Sequence, residues 1–208
     1  EKILLEAFEE NFFKFIPVEP ISLRGEDIDQ TTIVPGFDRA EEKAVKAIQK
    51  HSINIKNIQY NREIEKAYLL LGKARYFDRR FFPALEAFNF LLETGASWSN
   101  FLDAKIWREK TNIRLKNNEL AIKNLRSLAL NITPKSPFHS MANSTLAQAF
   151  VNTEQLDSAK VFIKRAALSS KKYKDKGRFY FLTGQLFEKL KNIKLIEFKN
   201  RVNSSKYY

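Results

Sequence analysis

The sequence has no cysteine, so it can form no disulfide, no thiolate nucleophile and no cysteine metal cage, and it carries no mark of a redox compartment. Its two histidines, His51 and His139, stand far apart and outside any metal-binding spacing such as H-E-x-x-H, and both read as surface or capping residues. The six glycines are isolated at positions 25, 36, 72, 95, 177 and 184, so there is no glycine-rich loop to cradle a phosphate. Six glycines and six prolines in 208 residues also argue against a many-turned β fold and for long helices. No apolar run reaches the roughly 18–20 residues of a membrane-spanning helix. Neighbouring acids such as Glu9-Glu10 and Glu41-Glu42 sit on helix faces with solvated roles rather than as a paired acid and base. These absences make the reading non-enzymatic, with no catalytic residue, no cofactor and no metal.

What is present is apolar bulk and positive charge. Hydrophobic residues make up 44% of the chain, with 18 Phe, 7 Tyr and 2 Trp, enough to bury a continuous core. The net charge of +12 is uneven: residues 1–50 hold 7 basic and 11 acidic residues, whereas residues 160–201 hold 13 basic and 3 acidic. A basic end of this kind fits nucleic acid, an anionic membrane surface, an acidic partner protein or simply water. Nothing in the chain resembles a nucleic-acid reading module, which leaves charge alone as support for that partner. The chain opens on Glu1 without a methionine or a signal-like region, so the expectation is a processed or partial piece of a longer protein.

The stretch that organises the rest is EIEKAYLLLGKARYFDRRFFPALEAFNFLL, residues 63–92. Ile64, Ala67, Tyr68 and Leu71 follow the i, i+3, i+4, i+7 spacing of one helical stripe, and Ala84, Leu85, Phe88, Leu91 and Leu92 follow it again after a polar break at Asp78, Arg79 and Arg80. Gly72 and Ala84 are expected where the two antiparallel helices approach most closely, with Phe81, Phe82 and Phe88 filling the space to the next hairpin. Two short helices with one wet face each need neighbours of the same kind. The order Tyr68, Leu71, Gly72, Phe81, Ala84, Phe88, Leu91 resembles the tetratricopeptide repeat. That resemblance implies an all-α fold, a right-handed superhelical array of tetratricopeptide-like helix hairpins.

Other stretches repeat the pattern. Ala121, Leu125 and Leu128 lie 37 residues after Ala84, Phe88 and Leu91, although Glu109 stands where Gly72 stood, so Trp107 and Ile113 must carry the packing there. Ala147, Leu156, Ala159, Ile163 and Ala166 lie 75 residues after Gly72, Phe81, Ala84, Phe88 and Leu91, and Tyr180 and Gly184 lie 112 after Tyr68 and Gly72. The expected organisation is an N-terminal helix and ordered loop over 1–37, then repeats over 38–208: a partial unit at 38–62, then 63–97, 100–136, 138–170 and 174–201. The first helix, residues 1–16, presents Leu4, Leu5, Phe8, Phe12 and either Phe15 or Ile16 on one side and Glu6, Glu9 and Glu10 on the other. The partial unit pairs this helix with one capped by Asp38 and Glu41, whose Ala40, Ala44, Ala47 and Ile48 share a face. At the other end, Leu186, Leu190, Ile193 and Leu195 read as a face ready to receive a further helix.

In a tetratricopeptide array the non-core positions of the first helices line a concave groove. Here these are Lys73, Tyr76 and Phe77, then Lys110 and Arg114, Gln148 and Asn152, and Arg178 and Gln185, a mixed basic and amide-rich lining suited to an extended peptide or an acidic protein face. The structural positions of the repeat are Gly72, Ala84, Phe88, Ala121, Ala147, Ala159 and Gly184.

Residues 38–53, DRAEEKAVKAIQKHSI, and 60–93, YNREIEKAYLLLGKARYFDRRFFPALEAFNFLLE, resemble the tetratricopeptide region of the SprE/PorW family, the gliding-motility and type IX secretion lipoproteins of Bacteroidetes. The preceding LLEAFEENFFKFIPVEP is similar to the helix and proline-bounded loop before those repeats. The resemblance covers residues 4–93, departs at Glu109, and lacks the lipid-attachment cysteine. It implies a non-enzymatic scaffold, anchored by lipid to the periplasmic face of the outer membrane through a segment outside this chain. Its partners would be the secretion translocon and the periplasmic ring and motor. The competing readings are a basic nucleic-acid-binding helical repeat and a glycan-binding outer-membrane lipoprotein, and the lack of an aromatic-rich insertion loop argues against the latter.

Overall fold

The computed structural model describes residues 37–56 and 58–204. Over these the chain is all-helical apart from one two-residue antiparallel pair. The helices are α1 (Phe37–His51), α2 (Arg62–Phe77), α3 (Phe81–Glu93), α4 (Trp98–Arg114), α5 (Asn118–Asn131), α6 (His139–Asn152), α7 (Leu156–Ser169) and α8 (Tyr173–Ser204). Between α1 and α2, β1 (Asn54–Ile55) and β2 (Ile58–Gln59) set Asn54 opposite Gln59 and Ile55 opposite Ile58. The helix expected at residues 1–16, and the loop after it as far as residue 36, lie outside the described residues.

The turns inside the hairpins are one design built three times. At the end of α2 the amides of Asp78, Arg79 and Arg80 donate to the carbonyls of Ala74, Tyr76 and Arg75 at 2.9, 3.1 and 2.9 Å. The same closure recurs at Leu115-Lys116-Asn117 and at Thr153-Glu154-Gln155, where Asn117 reaches the carbonyl of Asn112 and Gln155 that of Phe150, both at 2.9 Å. Its middle residue is left-handed each time, Arg79 at φ 62°, Lys116 at φ 65° and Glu154 at φ 59°. This is the Schellman arrangement that satisfies the last carbonyls of a helix, made here without the usual glycine. The left-handed residues are 37 and 38 positions apart, and the next helix begins two residues after each. After α3 the corresponding place does hold a glycine, Gly95 at φ 74°.

Burial repeats with the same step. Ala84, Ala121 and Ala159 are fully buried, and so are Phe88, Leu125 and Ile163. At Gly72 the crossing is tight enough that a Cβ would lie 2.4 Å from Cε1 of Phe88. Only a residue without a side chain lets that ring seat.

The described chain falls into two compact units, one running to Leu128 and one starting at Ala129, with the division inside α5. In the N-terminal unit α1 to α4 pack consecutively. Leu69, Ala84, Phe88, Leu91 and Ala104 form its main core, and Ala44, Leu71 and Ala87 a smaller one. Burying each large side chain such as Phe88 or Leu91 contributes about 1.5–3 kcal/mol. Tyr68 lies stacked on Phe90 with centroids 3.9 Å apart, joining the two layers of the hairpin. Asn61 links elements at its entrance: its Oδ1 accepts from the amide of Glu63 at 3.1 Å, capping α2, while its Nδ2 donates to the carbonyl of His51 at 2.9 Å. In the C-terminal unit α7 packs on α6 and α8. Phe150 stacks on Phe162 at 5.5 Å, and Leu146, Ala147, Ile163, Ala166 and Leu186 are also buried in this unit.

Several expectations are corrected. Asp38 lies inside the first turn of α1 rather than at its cap, and Glu41 is no capping residue: its carboxylate binds Arg75 Nε at 2.9 Å and pairs with Arg80. Phe82 points to solvent, because α3 begins at Phe81 and the core side of its first turn is taken by Ala84. His139 is buried rather than on the surface. Residues 174–201, expected as a last partial unit, form part of one continuous helix of 32 residues. Within it Leu186 is already buried in the C-terminal unit, whereas Gly184 is exposed with open space where a Cβ would stand.

Candidate protein-binding surface

In the N-terminal unit, four of the residues expected in a groove converge on one ring, that of Trp107. Lys110 Nζ lies 4.2 Å from its centroid and Lys73 Nζ 5.4 Å, on α4 and α2 respectively. Tyr76 and Phe77 meet it edge-on at 5.1 and 5.5 Å, and Phe88 stacks behind it at 6.5 Å. Phe77 also stacks on Phe37 at 5.8 Å, tying α1 to the cluster. Arg114 lies over Phe81 at 5.6 Å from the ring centre. A cation over an aromatic face contributes roughly 0.5–1 kcal/mol at an exposed site and more when desolvated.

The accessibility of these residues is unequal. Lys110 is 7% exposed, so it belongs to the interior and is removed from the groove lining. Lys73 is half-buried and pairs with Asp103 at 2.7 Å. Tyr76, Phe77, Trp107 and Arg114 are half-buried. What the surface presents is therefore an aromatic floor rimmed by two cations, already partly neutralised on one side by Asp103.

Two buried carboxylates hold this surface from behind, and neither was legible from spacing. Glu65 Oε2 accepts from the amide of Ser97 at 3.0 Å, from Ser97 Oγ at 2.7 Å and from Asn100 Nδ2 at 2.7 Å, pinning the start of α4 to α2. Burial works to raise its pKa, but the donors from Asn100 and Ser97 outweigh it and hold the carboxyl below the ordinary carboxylate value. Glu109, at the position equivalent to Gly72, is fully buried. Arg108 Nε meets it at 2.7 Å, Asn112 Nδ2 at 2.8 Å, and Asn124 Nδ2 of α5 at 3.1 Å. Where α2 and α3 meet through a glycine and a ring, α4 and α5 meet through a hydrogen-bonded carboxylate.

In the C-terminal unit, Gln148 donates to Asn152 at 2.8 Å along α6. Arg178 is half-buried on α8, and Gln185 is 6% exposed and so no lining residue. Two buried polar residues of α6 donate to its own backbone: Thr145 Oγ1 to the carbonyl of Met141 at 2.8 Å and Asn143 Nδ2 to that of His139 at 2.8 Å. His139 Nδ1 lies 2.6 Å from Ser169 Oγ, which itself donates to the carbonyl of Arg165 at 3.0 Å. That bookkeeping puts the proton of a neutral ring on Nδ1. Burial and the charge of Arg165 push the pKa of His139 below its ordinary value.

A 370 Å³ recess lies on another side of the N-terminal unit, lined by Val45, Ile48, Tyr68, Leu71, Ala87 and Phe90 with Gln49, Arg75 and Glu86. Its only charged groups are one cation and one anion. Among the described residues no group of three or more His, Cys, Asp or Glu is placed to hold a metal ion, and no helix is long and apolar enough to cross a membrane. No protein-family model matches the chain, and no significant similarity to a curated protein was found.

Proposed function

We propose that this chain is a non-enzymatic scaffold whose helical hairpins stack as a right-handed superhelical array of tetratricopeptide-like repeats and bind partner proteins. The observation that carries the reading is the hairpin turn repeated at 37 and 38 residues together with the matching burial of Ala84, Ala121 and Ala159. The binding surface is the half-buried aromatic floor of Tyr76, Phe77 and Trp107 with Lys73 and Arg114, and an extended segment with acidic and aromatic residues fits it. The resemblance of residues 4–93 supports a setting in the type IX secretion and gliding machinery, on the periplasmic face of the outer membrane. Its partners there are translocon proteins and the periplasmic ring and motor.

Affinity capture at native expression from a gliding or protein-secreting member of the Bacteroidetes tests both parts. Translocon components are expected in the eluate, and Lys73→Glu with Arg114→Glu is expected to reduce them by about tenfold, a loss near 1.4 kcal/mol. Recovery of no secretion component would remove the setting, and undiminished capture by the charge-reversed protein would remove the surface.

A further inference from the structure

One side of α4 carries Asp103, Trp107, Lys110 and Arg114 at steps of four, three and four. An indole and two cations suit a partner that brings negative charge, and Asp103 is the odd charge among them. The repeat does not require a carboxylate at this place. The equivalent positions, 37 residues earlier and 38 later, are Lys66 and Met141. Nor do the helices depend on it to stay joined. Glu65 of α2 takes donors from Ser97 and Asn100, Leu69 and Ala104 share a core, and Tyr76 and Phe77 lie against the ring of Trp107. What Asp103 does is hold the Lys73 ammonium at 2.7 Å, beside the indole whose centroid lies 5.4 Å from that ammonium. The two side chains keep 30% and 19% exposure, so the pair sits at the edge of the aromatic floor and within reach of an incoming group. An ion pair still open to water on one side is weak enough for another carboxylate to exchange into it. Arg114, by contrast, lies over Phe81 and has no ion pair among the described residues.

We propose that Asp103 is an internal stand-in for a carboxylate of the partner. In the free chain it occupies Lys73; an acidic side chain of the bound segment displaces it, while a second acid settles on Arg114. The inference rests on the partner-binding reading of this surface and adds the source of its selectivity. A segment without acids leaves Lys73 occupied and gains only the aromatic contact. An acidic segment exchanges one ion pair for another and gains the guanidinium of Arg114 besides. The same exchange holds affinity down, because the displaced carboxylate of Asp103 loses its ammonium and then repels the incoming charge.

Two synthetic peptides test this by NMR titration of the full chain: Gly-Asp-Phe-Asp-Glu-Tyr-Asp-Gly, and the same peptide with Asn and Gln in place of its acids. The indole N–H of Trp107 reports binding. The acidic peptide is expected to move that signal, and Asp103→Asn to tighten its binding about three- to fivefold while leaving the response to the neutral peptide unchanged. In the unsubstituted protein, the side-chain carboxyl carbon of Asp103 is expected to shift as the acidic peptide saturates, an observation that requires no variant to fold. Acid-selective binding of equal affinity in Asp103→Asn would overturn the stand-in role and leave the surface standing. So would weaker binding accompanied by lost stability, or a carboxyl signal that does not move at saturation. No response of Trp107 to either peptide, in either protein, would remove the surface and this role with it.

Discussion

Gly72 and Glu109 occupy the same place in two successive hairpins and solve it by opposite means. At Gly72 the solution is absence: with Phe88 Cε1 2.4 Å from where a Cβ would be, Gly72→Ala must displace the ring. Overpacking of this kind costs about 1–3 kcal/mol, read as a lower urea midpoint, and Phe88→Leu in the same chain should recover part of it because the two sites share one space. At Glu109 the solution is a carboxylate with three donors. Glu109→Ala would leave the buried Asn112 and the half-buried Asn124 without their acceptor, a loss of about 2–4 kcal/mol in the same measurement, and Glu109→Gln should lose less. Gly72 could be read from its spacing, since a small residue in a helical stripe marks a close approach. Glu109 could not: whether a carboxylate is solvated or buried depends on Arg108, Asn112 and Asn124 arriving together, and Asn124 comes from a different helix.

Among the elements, the polar break between helices was legible as a turn, but its geometry was not. The left-handed residues are Arg79, Lys116 and Glu154, none of them the glycine that marks such a position in a sequence. Lys116 and Glu154 are exposed, so glycine there removes backbone strain without removing a buried contact. Lys116→Gly and Glu154→Gly are each expected to stabilise the chain by about 0.5–1 kcal/mol in thermal unfolding. Gly95→Ala is expected to cost about the same, from its φ of 74° alone. α8 is the element that periodicity misjudged. Tyr180 and Gly184 match the spacing of Tyr68 and Gly72, yet both are exposed, because the pattern says which side of a helix could be covered and not what covers it.

At the scale of the molecule, the two units carry different acid sensitivities. His139, in the unit starting at Ala129, has a pKa pushed below its ordinary 6.5, so the unfolded chain takes up a proton first as pH falls. Stability of this unit is full above about pH 6.5 and declines below it, down through the folded value. Glu41 and Glu65 are in the unit running to Leu128, with pKa values lowered from 4.5; burial opposes the shift, and the pairs with Arg80 and Arg75, or the donors from Asn100 and Ser97, outweigh it. Their contribution persists above about pH 4.5 and is lost below. Hydrogen exchange between pH 7 and 5.5 is therefore expected to show loosening in α6 and α7 and not in α2 and α3, and His139→Gln should remove that difference. Equal loosening of both units would contradict it.

The order of residues alone determined that the chain is helical, roughly where each hairpin folds back, and which positions form the buried stripes, because a 3.6-residue period and small residues at crossings are local properties of the chain. Only the tertiary structure decided that Lys110, Glu109 and His139 lie inside, that Phe82 and Gly184 lie outside, and that a single tryptophan gathers the lining residues of α2 and α4. Burial of a polar or aromatic group is a property of what meets it, and its neighbours come from other helices.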